Sequence, residues 1–125
     1  MASKTVPVNF FQQGWYMFYV VYTQAKFEIC FTLKDSAKIY VNGECRTGPN
    51  PGYLVRGDGY IQGNDLQITI DIAQSPEIKT DIDSHAILRP DGTIAGYVFT
   101  MCVEDYTDKD YNDLTASLVC WEHKG

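Results

Sequence analysis

Five carboxylates crowd into the ten residues Glu104-Asp105-Tyr106-Thr107-Asp108-Lys109-Asp110-Tyr111-Asn112-Asp113, with one amide and a single lysine among them. The stretch carries a formal charge of −4, out of −6 for the whole chain. Acids this close repel one another and oppose a compact loop unless a counter-ion holds them. They also alternate: Asp108, Asp110 and Asn112 stand at every second position, and Asp113 follows directly. A run of hard oxygen donors is what a calcium ion binds, taking roughly six to eight of them.

The best-known loop of this composition, the EF-hand, does not fit. Asp108, Asp110 and Asn112 match its first three ligand positions, but Asp113 stands where glycine makes the sharp turn and Val119 where glutamate closes the site. The flanks read as strands, not helices. A calcium loop of another kind is expected, held between the last two β-strands. Glu104, Asp108, Asp110 and Asp113 supply four negative charges, which two ions would neutralise, with Asp110 and Asp113 central enough to bridge them.

The pattern Glu-Asp-x-Thr-Asp-x-Asp-Tyr-Asn-Asp, late in a small all-β chain, resembles the loop of the soluble two-calcium bacterial lectins that bind fucose and mannose. The resemblance implies two adjacent Ca²⁺ ions per chain, with sugar hydroxyls completing their coordination. It makes Glu104, Asp108, Asp110 and Asp113 carboxylate ligands and Asn112 an amide ligand. Asp105 and Thr107 match loop residues that touch the sugar. In that family the turn after an early strand supplies an Asn ligand and then small residues that tune sugar choice. Tyr22 or Thr23 stands at the Asn position here, and Thr23 and Gln24 are candidates for sugar contact. The family's chains end in a glycine whose carboxylate binds the calcium of a partner subunit. This chain also ends in Gly125, but the segment after Asp113 is two residues longer. A homo-oligomer is the resulting expectation.

At 125 residues the chain can bury about two-thirds of its unfolded surface, enough for one core without staples. One domain over residues 1–125 is expected. Nine Tyr, six Phe and two Trp favour strands. The net charge of −6 and the lack of a Lys/Arg cluster argue against a nucleic-acid surface. No apolar run approaches the length of a membrane-spanning helix. Met1 to Pro7 holds no apolar core of a secretory signal, so a cytoplasmic protein, or one released without a signal peptide, is expected. Cys30, Cys45, Cys102 and Cys120 form no C-x-x-C pair. Three disulfide pairings are open, but free thiols in an intracellular protein are the expectation.

The strands follow from period-two patterning. Residues 15–22 are apolar or aromatic on both faces, which suits a central strand or a subunit interface. Thr23-Gln24-Ala25-Lys26 reads as a hairpin connection into strand 27–33, where Cys30 falls on the polar face. Residues 37–41 form a strand, Asn42-Gly43 a hairpin turn, 47–52 a loop and 56–60 a further turn. Leu66, Ile68, Ile70 and Ile72 face a core. A half-exposed strand runs over 78–88 with Asp81, Asp83 and His85 on it. A turn at 89–92 precedes strand 94–103, and strand 114–121 leaves the acidic loop. The fold class is therefore all-β, a single antiparallel β-sandwich domain with a calcium loop between its last two strands.

The expected function is calcium-dependent binding of mannose- or fucose-type mono- and oligosaccharides, not catalysis. Crowded, alternating acids suit a metal better than a glycosidase pair, and neither His85 nor His123 sits in a nucleophile motif. The alternative is a calcium-stapled β-sandwich that contacts proteins and leaves no coordination position open.

Overall fold

Alternating burial organises the described residues into nine strands. The computed structural model describes residues 1–105 and 109–125. Strands β1 (Ala2–Pro7), β2 (Tyr16–Thr23), β3 (Ile29–Lys34), β4 (Ile39–Arg46) and β5 (Gly52–Tyr60) come first. They are followed by β6 (Gln67–Ile72), β7 (Lys79–Leu88), β8 (Ile94–Glu104) and β9 (Leu114–Trp121). The four-stranded sheet has the order β1-β6-β3-β4 and the five-stranded sheet the order β5-β2-β9-β8-β7. Among the described residues, neighbouring strands pair antiparallel throughout, so the expected β-sandwich is what forms.

The core lies between the sheets. From the four-stranded side come Ile29, Phe31 and Leu33 of β3 and Ile68, Ile70 and Ile72 of β6, all fully buried. From the other side come Met17 and Val21 of β2, Met101 and Val103 of β8, and Leu114, Ala116, Leu118 and Cys120 of β9. Side chains one residue away point outward, because strand side chains alternate faces. The outward face of β2 and its neighbours carries exposed Phe18, Tyr22, Tyr53, Tyr60 and Trp121. Among the described residues no helix is long and apolar enough to cross a membrane.

Several local readings need correction. Strand β1, absent from the sequence reading, pairs with β6 along the sheet edge, where Thr5 and Thr69 share a hydroxyl hydrogen bond of 2.9 Å. Its one-sided apolar content is too low to stand out, and Pro7 is tolerated at the end of an edge strand. Asn42-Gly43 is a β-bulge inside β4 and not a hairpin turn. Two residues, Asn42 and Gly43, oppose the single Thr32, Gly43 takes φ 62°, and its N–H donates to the Thr32 hydroxyl at 3.1 Å. Residues 56–60 belong to β5. A Cβ on Gly57 would lie 2.4 Å from the Tyr19 hydroxyl oxygen, so this glycine permits a close approach and makes no turn.

The Thr23–Lys26 segment is no hairpin either. β2 keeps β5 and β9 as partners, while β3 sits in the opposite sheet. Residues 24–28 therefore cross between the sheets, with Ala25 buried and its carbonyl accepting from Gly48 N at 2.9 Å. Residues 47–51 cross back from β4 to β5. The expectation of four free thiols also fails: Cys30 and Cys45, directly opposite on β3 and β4, form a disulfide, while Cys102 and Cys120 are free. Two cysteines facing outward at one register position lie within bonding reach, a pairing that appears only once the strands are aligned.

Candidate metal and ligand site

The acidic stretch is the connection between β8 and β9. Val103 pairs with Leu114, so the loop leaves and re-enters two neighbouring strands at one level. Asp113 N donates to Val103 O at 3.1 Å, and Asp105 N donates to the Asp113 carboxylate at 2.8 Å. The two ends of the loop are thus tied together through the very residues that carry its charge. Lys109 and Tyr111 both take left-handed backbone conformations, with φ 59° and 56°. Non-glycine residues adopt that region at a cost that surrounding structure must offset. Two such residues flanking Asp110 curl the chain back, and Tyr111 N points at Glu104 Oε2, 3.4 Å away.

This curl brings Glu104, Asp110 and Asp113 together, with a carboxylate oxygen from each within 4.8 Å of the others. Oxygens bound to one calcium at about 2.4 Å each can be no farther apart than that. Glu104 is wholly buried, and its Oε1 has no hydrogen-bond partner among the described residues. A buried carboxylate oxygen without a donor is costly, and a cation is the ordinary remedy. Asp113 is 4% exposed, and burial pushes its carboxyl up to about 8. The Asp105 N–H pulls the other way, while a hydrogen bond with Glu104 and the charges of Asp105 and Glu104 add to the rise. Three hard oxygen donors, one orphaned and one resisting ionisation, fit a calcium-type ion well.

Beside the cluster opens a pocket of about 220 Å³, lined by Gln24, Lys26, Pro49, Asp105, Asp110, Asn112 and Asp113. The loop and the two crossings between sheets meet here. Gln24 N donates to Asp113 O at 3.1 Å, which fixes the first crossing to the loop. Asp105 is buried within the cluster. The sequence-predicted residues Gln24, Asp105, Asp110, Asn112 and Asp113 thus share one pocket, with Glu104 behind it. Thr23 does not join them. Its side chain is 1% exposed, and its hydroxyl and carbonyl oxygens accept from Arg46 at 3.1 and 2.9 Å. Thr107 and Asp108 lie outside the described residues.

Sequence reasoning missed four residues that build this place. Lys26 and Pro49 line the pocket. Arg46 bonds Thr23 and also donates to Asn50 O at 3.1 Å, joining the two crossings. Ser75 is fully buried, with its hydroxyl 2.7 Å from Asp105 O and 2.6 Å from Glu77 O, so it steadies the entry to the loop. Neither Arg46 nor Ser75 has a sequence signal, because each ties a local carbonyl to a segment remote in the chain. Gly125 lies with Tyr16, Trp121, His123 and Lys124 around a hollow at the far end of β9 from the acidic loop.

No protein-family model matches the chain, and no curated protein matches it by sequence. Solved structures do share its fold. The C-terminal domain of the BC2L-C lectin from Burkholderia cenocepacia superposes with a TM-score of 0.68 at 15% identity, covering 94% of this chain and 95% of that one. The high-affinity mannose-binding lectin of Ralstonia solanacearum gives 0.64 at 16% identity, over 94% and 93%. The Chromobacterium violaceum lectin CV2L, solved in complex with alpha-methyl-fucoside, gives 0.62 at 15% identity, over 86% and 89%. The chain therefore has the fold of these bacterial lectins, as the resemblance in its loop implies.

Proposed function

We propose that this chain is a calcium-dependent carbohydrate-binding protein, a lectin and not an enzyme. The observation that carries the reading is the convergence of Glu104, Asp110 and Asp113, with Asp110 and Asp113 lining a pocket beside the cluster. Glu104, Asp108, Asp110, Asn112 and Asp113 would hold Ca²⁺, in the number of two that the loop charge suggests. The ions would supply coordination positions that two vicinal sugar hydroxyls can fill, and calcium's preference for oxygen would fix their stereochemistry. Asp105, Thr107 and Gln24 would add hydrogen bonds that tell epimers apart. Mannose- and fucose-type sugars are the expected ligands, and the mannose-binding and fucoside-bound neighbours support that choice.

A single shallow site binds modestly, so several sites per oligomer would add avidity. The exposed aromatics Phe18, Tyr22, Tyr53, Tyr60 and Trp121 support self-association, since aromatic side chains are enriched in protein interfaces. The Cys30–Cys45 disulfide supports a protein that is released from the cell over one kept in the reducing cytoplasm.

One observation favours a second reading, a calcium staple with no open position. Thr23, one of the two residues at the place of the family's Asn ligand, is buried with its hydroxyl accepting from Arg46. Calorimetric titration with mannose and with fucose, in calcium and then in chelator, separates the two. Heat that appears only in calcium, and is lost in Asp110→Ala and Asp113→Asn, is the expected result. A calcium-dependent rise in melting temperature with no heat from either sugar would leave the staple.

A further inference from the structure

The wall of the pocket facing the acidic loop carries a charge that the loop does not use. Lys26 lines the pocket alongside Asp105, Asp110, Asn112 and Asp113, yet it makes no ion pair or hydrogen bond among the described residues. A lysine whose task was to neutralise these acids would be expected to lie against one of them. Lys26 instead stands exposed on the crossing between β2 and β3, with Gln24 on the same wall. That wall is held in place. Gln24 N is bonded to the loop, Ala25 O accepts from Gly48 N, and Arg46 fastens Thr23 to Asn50. Pro49, on the crossing so fastened, also lines the pocket.

Charge balance points the same way. Two divalent ions would cancel the loop's net −4 and leave Lys26 as an unmatched positive charge at the mouth. In the ion-free pocket the carboxylates would repel an anion; with ions bound that barrier disappears. We propose that the ligand of this site is an acidic saccharide, and that Lys26 reads its anionic substituent while the metal-bound hydroxyls read its ring. The inference rests on the carbohydrate reading above and adds a substrate class to it. Lys26 is a specificity-determining residue.

The test compares methyl mannoside with the methyl glycoside of mannuronate, which keeps the ring hydroxyls and replaces the C6 hydroxymethyl group by a carboxylate. Calorimetry in calcium should show the acidic sugar binding tighter by up to about fivefold at low salt, the upper range for an exposed charge pair. The preference should shrink as salt rises. Lys26→Gln should bring the ratio to about one, and a dye-competition titration should show its calcium affinity kept or raised. Equal affinity for the two sugars in the unaltered protein would overturn the charge reading and leave the lectin reading standing. A preference that survives Lys26→Gln would overturn the role of this residue. No heat from either sugar in calcium would overturn both readings together.

Discussion

Asp113 is where the chemistry of this protein is most exposed to measurement. Burial, helped by Glu104 and Asp105, holds its carboxyl up to about 8, above the ordinary value of 3.8. A carboxyl whose pKa rises on folding favours the folded state when protonated. Its contribution is full below about pH 4, fades as pH rises, and is gone above about pH 8. We predict that in chelator the melting temperature falls over this window, and that Asp113→Asn flattens the slope. Calcium needs the carboxylate, so binding near neutral pH must expel the proton. Calcium affinity should therefore climb by up to about tenfold per pH unit below 8 and level off above it. Titrations in buffers of different ionisation enthalpy would count the protons released. Zero proton release at pH 7 would contradict the assignment.

Among the strands, the value of the arrangement lies in what pins the loop. β8 and β9 are interior members of the five-stranded sheet, and β2 covers the other side of β9. A site hung between such strands is presented on a rigid frame, which a preformed metal pocket requires. The same frame depends on β5 lying close to β2, and Gly57 makes that possible beneath the Tyr19 ring. Gly57→Ala should cost about 1–3 kcal/mol as the new methyl displaces Tyr19. Urea titration would measure it, and a change under about half a kcal/mol would show that the ring yields freely.

The strands with strict alternation were legible beforehand. Leu66 to Ile72 and Leu114 to Cys120 face the core as their period of two demands. The clustering of Glu104, Asp110 and Asp113 was legible because these acids stand close together in the sequence. What escaped was set by neighbours remote in the chain. Asn42-Gly43 reads as a turn from local chemistry, yet Thr32 across the sheet converts it to a bulge. Thr23 to Lys26 has the length of a hairpin, yet the sheet that receives β3 makes it a crossing. The same limit hid Arg46, Ser75, Lys26 and Pro49.

For the whole molecule, the two sheets matter less as layers than for the place where their connections meet. Residues 24–28 and 47–51 pass between the sheets beside the acidic loop, and the pocket is what lies between them. The pocket has two halves with different histories along the chain. Glu104, Asp110 and Asp113 belong to one hairpin, whereas Gln24, Lys26 and Pro49 come from the first half of the chain. Closing a short loop costs little chain entropy and is fast; joining distant segments is slower. During refolding the two competences should therefore separate in time. Stopped-flow mixing with a calcium-sensitive dye should show ion uptake before a fluorescent glycoside is captured, and simultaneous appearance would count against it. On the proposed reading, a chain still assembling would hold its ions before it could hold a sugar, and newly made protein would gain its metal early and its adhesiveness last.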